Sequence, residues 1–239
     1  MFSLPVISLR KADARFPTRI DWLNSKHTFS FGEHYDPKHM GFRSLRVINE
    51  DRVRAASGFP THGHKDMEIL SWVLAGQLEH KDSIGTGSII RPGDLQRMSA
   101  GTGVRHSEWN PSPNEEVHFL QIWLLPEKTG IAAGYEQKTF AQKDLANRLH
   151  LVASRDGRES SVTVHQDAAL YVARLDADAS VTHALAAGRG AWIHVARGEA
   201  SLNGTKLAAG DGASIEDAGA LSLTGGTGGA EILLFDLGG

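Results

Sequence analysis

Short runs of apolar and β-branched residues recur along the chain, and Gly, Pro, Asn or Asp bounds most of them. Runs of this length, closed by turn-forming residues, are typical of strands in a β-sandwich or barrel. Helical periodicity is sparse, and one short helix is predicted at 141–149 (AQKDLANRL). The clearest predicted strands are residues 44–50, 69–74, 117–125, 169–175, 191–196 and 231–237.

The second half of the sequence repeats the first. Residues 73–98 and 194–215 share a glycine after an apolar run and a later Gly-Asp turn, so that Gly76 matches Gly198 and Gly93 matches Gly210. The hairpin between these glycines is shorter in the second copy. A chain of 239 residues is long enough for two compact domains. With a linker predicted at 126–134 (PEKTGIAAG), we expect two similar barrels, at residues 1–132 and 133–239.

Composition excludes several classes of protein. The formal net charge is −3 and the basic residues are scattered, which gives no electrostatic reason to expect nucleic-acid binding. No apolar stretch reaches the ~18 residues of a membrane span. The chain has no cysteine, so it has neither disulfides nor thiolate metal ligands. Its first residues lack the pattern of a signal peptide. We expect a cytoplasmic monomer.

Two pairs of residues carry the candidate chemistry: His62 with His64, and His106 with Glu108. Each pair has one residue between its members. Alternate side chains of a strand point to the same face, and their Cα atoms lie about 6.6 Å apart at ~3.3 Å per residue. Both members of a pair can therefore reach one ion. Three imidazoles and a carboxylate suit a first-row divalent metal, so we predict one such ion per chain.

The repeat predicts that the second half has lost this site. Counting from Gly198 and Gly210 by the spacings of the first copy leads to the four positions Ala184, Ala186, Leu223 and Gly225. None of these four residues is a metal ligand. His183 lies one residue from a counted position, where a strand side chain points to the opposite face. The sequence therefore predicts a degenerate C-terminal domain without metal ligands.

The order HxH, then PGD, then HxE resembles the two cupin motifs. Longer segments resemble the pirin family: residues 26–49, 58–76 (GFPTHGHKDMEILSWVLAG), 92–110 (PGDLQRMSAGTGVRHSEWN) and 120–126. The resemblance covers nearly the whole chain. It implies an all-β bicupin, in which two jelly-roll-like cupin barrels with few short helices pack together. It also implies metal in the N-terminal domain only, held by three His and one Glu, here His62, His64, His106 and Glu108.

The chain looks like the bacterial pirin-like proteins known as quercetin 2,3-dioxygenases. That resemblance implies an oxidoreductase that uses O2 to open the ring of a flavonol such as quercetin and releases CO. Glu108 would be catalytic, as the general base for the 3-hydroxyl proton. Iron is the expected metal, and the donor set also suits Zn, Mn, Ni, Cu or Co. The alternative is a non-catalytic, metal-binding regulatory or redox-sensing role, as ascribed to animal pirins.

Two further polar residues lie between the HxH and HxE pairs, and the sequence predicts a role for each of them. Many other cupins take their carboxylate ligand from the first motif, which would be Glu68 here. Glu68 lies six residues beyond His62, about 20 Å away along a straight strand. Because Glu108 needs no bend of the chain, we favour Glu108 as the ligand and expect a supporting or structural role for Glu68. His80, in the segment QLEHKD, is predicted to be a solvated strand residue.

Overall fold

The computed structural model describes residues 6–239, and these residues form a nearly all-β protein, as predicted. The strands of the first half are β1 (Ser8–Arg10), β2 (Phe16–Arg19), β3 (Leu23–His27), β4 (Leu45–Val53), β5 (Gly58–His64), β6 (Glu68–Ala75), β7 (Leu78–Asp82), β8 (Gly87–Ile90), β9 (Asp94–Ser99), β10 (Val104–Trp109), β11 (Val117–Leu124) and β12 (Gly134–Thr139). The strands of the second half are β13 (His150–Ser154), β14 (Val162–Thr163), β15 (Ala168–Leu175), β16 (Ser180–Leu185), β17 (Gly190–Leu202), β18 (Thr205–Ala208), β19 (Gly212–Ile215) and β20 (Gly219–Leu237).

Helical structure is confined to short pieces. The α-helix α1 (Gln142–Leu145) occupies the start of the predicted helix at 141–149, and the prediction was wrong beyond it. Ala146 is already extended and Asn147 has a positive φ of 52°, which ends the helical path after one turn. Two 3₁₀ turns occur at Ala12–Ala14 and Arg158–Ser160. Within residues 6–239, no helix is long and apolar enough to cross a membrane.

The first barrel consists of two sheets. The larger sheet has the strand order β12-β9-β6-β11-β4-β3-β2, and the smaller has the order β5-β10-β7-β8. Apolar side chains from both sheets pack together in its interior, including Val73 and Phe119 from the larger and Leu78 and Ile90 from the smaller. The second barrel is formed by a nine-stranded sheet in which the long strand β20 pairs with β15, β16 and β17. Both halves therefore have the predicted cupin architecture.

Alternation along β6 and β11 separates the candidate site from the contact between the barrels. Trp72 and Leu120 belong to a large cluster that also contains Trp192 and Phe235 of the second half. Their neighbours in sequence have the opposite orientation, and Phe119 packs inside the first barrel. One face of this sheet thus holds the two barrels together, while the other face is free to line a site.

The internal repeat is visible in the backbone. Gly76 directly follows β6, and Gly198 lies within β17 where its pairing with β20 shifts; their φ values are +75° and +71°. A Cβ atom at either position would collide with a backbone carbonyl, that of Glu116 for Gly76 and that of Gly229 for Gly198. Both copies therefore need glycine for the same two reasons, its positive φ and a close backbone approach.

Each barrel also includes a strand from the residue range predicted for the other barrel. Strand β1 pairs antiparallel with β19 of the second barrel, and β12 pairs antiparallel with β9 of the first. The chain between β11 and β12, at 125–133, has no strand or helix, as expected for the predicted linker at 126–134. The two halves are thus joined by exchanged edge strands as well as by their common apolar cluster.

Candidate metal centre

Three histidines converge at one end of the smaller sheet. His62 and His64 lie on β5 and point the same way, and His106 on β10 lies directly opposite His62 in the antiparallel ladder. Their ring centroids are 4.5–4.9 Å apart. One nitrogen from each ring lies within 4.8 Å of the others. In the described part of the chain, this is the one group of three or more His, Cys, Asp or Glu side chains that lie close enough together to hold a metal ion.

The hydrogen bonds of His62 orient its ring. Its Nδ1 lies 2.8 Å from the carbonyl oxygen of Pro60. A carbonyl can only accept, so Nδ1 carries the proton and Nε2 presents a lone pair. That Nε2 lies 3.0 Å from Nε2 of His106. Metal–nitrogen bonds are about 2.0–2.1 Å, so one ion can contact both nitrogens at once. The donor set and its spacing therefore fit a divalent metal.

His64 and His106 are in the neutral form that a metal requires. Burial, followed by the neighbouring His106 and His62, lowers the pKa of His64 to about 4. Burial, followed by His62 and His80, lowers the pKa of His106 to about 3. At pH 7 both imidazoles therefore present lone pairs rather than positive charges.

Glu108 lies beside this group rather than within it. The structure brings together three of the four predicted ligand residues, and the Glu108 carboxylate accepts hydrogen bonds from Gln121 Nε2 at 2.9 and 2.7 Å and from Ser71 Oγ at 3.3 Å. The carboxylate is buried and borders the same cavity as His62. A β-bulge between His106 and Glu108 shifts the pairing with β5. Such a bulge changes the direction of the next side chain.

Glu68 occupies a different place. It is fully buried, and its Oε2 accepts hydrogen bonds from the backbone N–H of His165, at 3.1 Å, and from the ring Nδ1 of the same residue, at 3.2 Å. His165 belongs to the second half of the chain. Glu68 thus links the two barrels, which agrees with the structural role expected for it.

The three-histidine group opens onto a cavity of about 330 Å³. Part of its wall is apolar, formed by Leu23, Phe31, Phe59 and Trp123. Besides His62 and His64, the polar part of the lining consists of Thr18, Ser25, His27, Glu33, His34, Asn49, Asp51, Glu108 and Gln121. Apolar walls with a few convergent polar groups are typical of small-molecule sites.

Asp51 is the most strongly perturbed acid in this lining. Burial raises its pKa to about 7, and the charge of Glu108 adds to this effect, while a hydrogen bond from Ser25 opposes it. Near neutral pH the cavity therefore holds a carboxyl group that can donate as well as accept a hydrogen bond.

His80 was mispredicted. Its side chain is completely buried, and it lies 2.9 Å from Asp82 and 3.4 Å from His106. The prediction of a solvated residue was wrong because this face of β7 points into the barrel, where the His80 ring packs against Tyr135 of β12 with 4.9 Å between ring centroids. The same one-residue spacing that singled out His62 and His64 is present in His80-Lys81-Asp82, and it would have drawn attention to this pair.

The second barrel has different residues at the matching positions, and the count from the repeat was wrong. In the first barrel His62 pairs with His106; in the second His183 pairs with Leu221. The counted residues Ala184 and Ala186 are exposed, whereas Leu185, Leu221 and Leu223 belong to the apolar interior. The equivalents of His62, His64, His106 and Glu108 are therefore His183, Leu185, Leu221 and Leu223. Loop lengths explain the error, because the second copy is one residue longer before its glycine and two residues shorter after its Gly-Asp turn. His183 forms a 2.7 Å contact with Asp236.

Comparison with known proteins agrees with this architecture. The Pirin family model matches residues 9–124, and the model of the quercetinase C-terminal cupin domain matches residues 151–237. A quercetin 2,3-dioxygenase of Escherichia coli K12 is 48% identical over 232 residues, which cover 97% of this chain and 99% of that protein. A putative quercetin 2,3-dioxygenase of Mycobacterium tuberculosis is 44% identical, over 91% of this chain and 90% of that protein.

Solved structures give the same result. The bacterial pirin YhhW of Escherichia coli, described as a complex with nickel(II), superimposes with a TM-score of 0.92 at 48% identity, covering 98% of this chain and 99% of that one. Both the sequence and the fold therefore match over nearly the full length. The chain belongs to the pirin family.

Proposed function

We propose that His62, His64, His106 and Glu108 hold one divalent first-row metal ion. The three converging imidazoles support this assignment, two of which, His64 and His106, are neutral at pH 7. Glu108 supplies the adjacent carboxylate. The nickel(II) complex of the related YhhW supports a divalent ion. Iron remains the metal we expect, and Zn, Mn, Ni, Cu and Co suit the same donors.

The function that this site supports best is that of a metal-dependent dioxygenase acting on flavonols such as quercetin. The related Escherichia coli protein is named quercetin 2,3-dioxygenase. In the reaction, one flavonol and one O2 give one ring-opened ester and one CO, so the atoms balance without another reductant or oxidant. When bound, the metal supplies a Lewis acid that favours the ionised 3-hydroxyl of the substrate.

The residues of the chain bind the substrate and move its proton. Phe31, Phe59 and Trp123 form apolar walls against which flat aromatic rings can lie with water excluded. Glu108 accepts the proton of the 3-hydroxyl as general base. Gln121 donates to both oxygens of Glu108, at 2.9 and 2.7 Å, and thereby holds the carboxylate in place until the substrate arrives.

The proposed metal site also assigns a different role to each of the two domains. We propose that residues 1–132 form the metal-binding cupin domain and that 133–239 form a degenerate cupin domain without metal ligands. The two family models support this, because their matches at 9–124 and 151–237 fall on either side of the proposed division.

The observation that carries the proposal is the group of three histidines opening onto the 330 Å³ cavity beside Glu108. To test it, purified protein is stripped of metal, reloaded separately with iron(II) and nickel(II), and mixed with quercetin in air. We expect loss of flavonol absorbance with equal amounts of O2 consumed and CO released. The stripped protein is the control. Metal-loaded protein without turnover would favour the regulatory or redox-sensing role.

A further inference from the structure

Behind His106, on the side away from His62, lies a buried pair formed by His80 and Asp82 of β7. Both side chains have no solvent exposure. Asp82 Oδ2 lies 2.9 Å from His80 Nε2, and His80 Nδ1 lies 3.4 Å from His106 Nδ1. A continuous line of polar contacts thus runs from Asp82 through His80 and His106 to the candidate metal position.

The backbone fixes the direction in which Asp82 faces. Its Oδ1 accepts hydrogen bonds from the backbone N–H groups of Ile84, at 3.0 Å, and Thr86, at 2.9 Å. The other oxygen, Oδ2, is therefore the one presented to His80. Since a carboxylate only accepts hydrogen bonds, the facing Nε2 of His80 carries a proton.

We propose that His80 and Asp82 are positioning residues that fix the tautomer and ring orientation of His106 for metal binding. This inference rests on the proposed metal site. A neutral His80 with its proton on Nε2 has a lone pair on Nδ1, which accepts the Nδ1 proton of His106. His106 is then left with a lone pair on Nε2, the nitrogen that faces His62 at 3.0 Å.

The opposite arrangement is incompatible with metal binding. If His80 carried its proton on Nδ1, it would donate to Nδ1 of His106, and the proton of His106 would have to reside on Nε2. That N–H would point at His62 and occupy the position of the metal–nitrogen bond. Hydrogen-bond partners of metal-bound imidazoles commonly change metal affinity by about 10–100-fold.

Asp82→Asn tests this arrangement with little change of shape. Because the two backbone amides require an oxygen at the Oδ1 position, the new amide NH₂ must face His80. His80 Nε2 then has to accept, its proton moves to Nδ1, and the tautomer of His106 is reversed. We expect zinc to bind the variant about 10–100-fold more weakly in a titration against a competing chelator.

The second barrel offers a matched control. Asp236 contacts His183 at 2.7 Å, and His183 occupies the position that matches His62. Asp236→Asn changes the same kind of carboxylate–histidine pair but should leave the zinc affinity within about twofold of the unmodified protein. A thermal melt of both variants shows whether they are folded.

Nitrogen NMR of the histidine rings in the zinc-loaded, unmodified protein gives a second test that needs no variant. We expect the proton of His80 on Nε2 and that of His106 on Nδ1. A proton on Nδ1 of His80, or a folded Asp82→Asn protein with unchanged zinc affinity, would overturn the inference. Failure of the unmodified protein to bind zinc at the three histidines would instead remove the metal site itself. Neither measurement depends on flavonol turnover.

Discussion

The two barrels have the same strand pairing and differ in the side chains at one end of the barrel. Matching strands pair in the same way in both, and both need a glycine at the same close approach, Gly76 in one and Gly198 in the other. The first barrel places His62, His64, His106 and Glu108 around an open cavity. At the matching positions of the second barrel are His183, Leu185, Leu221 and Leu223, and its three leucines belong to the apolar core.

The difference shows that the fold does not create the candidate site. In the second barrel, side chains from most strands pack into one continuous apolar cluster, while the interior of the first contains two separate smaller clusters beside the cavity. The first barrel therefore has less apolar packing in the region where metal ligands and a substrate would be placed. The second barrel contributes its sheet, which covers Trp72 and Leu120 of the first.

The largest effect is expected from replacing the histidine that occupies matching positions in the two barrels, His62 in the first and His183 in the second. His62→Leu removes a candidate ligand, and metal content should fall from about one ion per chain to nearly none. The decrease in affinity should exceed the ~10–100-fold typical of changes behind a ligand. His183→Leu is the matched control and should leave metal content unchanged. Elemental analysis of folded protein measures both, and loss of metal from folded His183→Leu would contradict the one-site assignment.

A smaller effect is expected from the carboxylate. Glu108→Gln should keep part of the metal but lower flavonol turnover by roughly 10²–10⁴-fold, because an amide cannot take the hydroxyl proton. Glu68→Gln is the comparison variant, since Glu68 is also a buried carboxylate but contacts His165. It should reduce metal and turnover less. The assignment is wrong if Glu68→Gln strips the metal while Glu108→Gln retains both metal and turnover.

The sequence was sufficient to predict the features that depend on the alternation of side chains between the two faces of a strand. The HxH and HxE spacings put His62, His64 and His106 on one face of paired strands, and the repeat of glycines predicted two barrels. Counting along the repeat failed where loop lengths differ, because a shift of one residue exchanges the two faces of a strand. His183 was therefore placed one position from its true equivalence with His62.

Contacts between distant strands could not be predicted in this way. Whether His80 is exposed or buried depends on the packing of Tyr135, from β12 of the other sheet, against its ring. The hydrogen bonds from Gln121 to Glu108 depend on a bulge and on a neighbouring strand of the other sheet. In both cases the local sequence pattern predicts the face of the strand to which a side chain points. It does not predict which residues of another strand contact that side chain.

The remaining comparison concerns Trp72 and His194, which occupy equivalent positions on β6 and β17. Trp72 donates its indole N–H to Glu231 at 2.7 Å. His194 is fully buried, and among residues 6–239 neither of its ring nitrogens has a hydrogen-bond partner. Burial, followed by the charge of Arg15, lowers its pKa to about 3. His194 therefore stays neutral in the folded protein at pH values where it would be charged in the unfolded chain.

This gives the smallest predicted effect, a change in the pH dependence of stability. The ordinary pKa of a histidine side chain is 6.5, so below that pH the unfolded chain binds a proton at His194 that the folded protein does not. The free energy of unfolding is therefore unaffected by the protonation of His194 above pH 6.5, and it decreases as the pH falls from 6.5 toward about 3. Between pH 7 and pH 5 it should decrease by about 2 kcal/mol, at ~1.4 kcal/mol per unit below the unfolded pKa. His194→Leu should remove this decrease and leave metal content unchanged. Urea unfolding of both proteins at pH 7 and pH 5 measures it, and an equal loss of stability in the variant would show that His194 is not the group responsible.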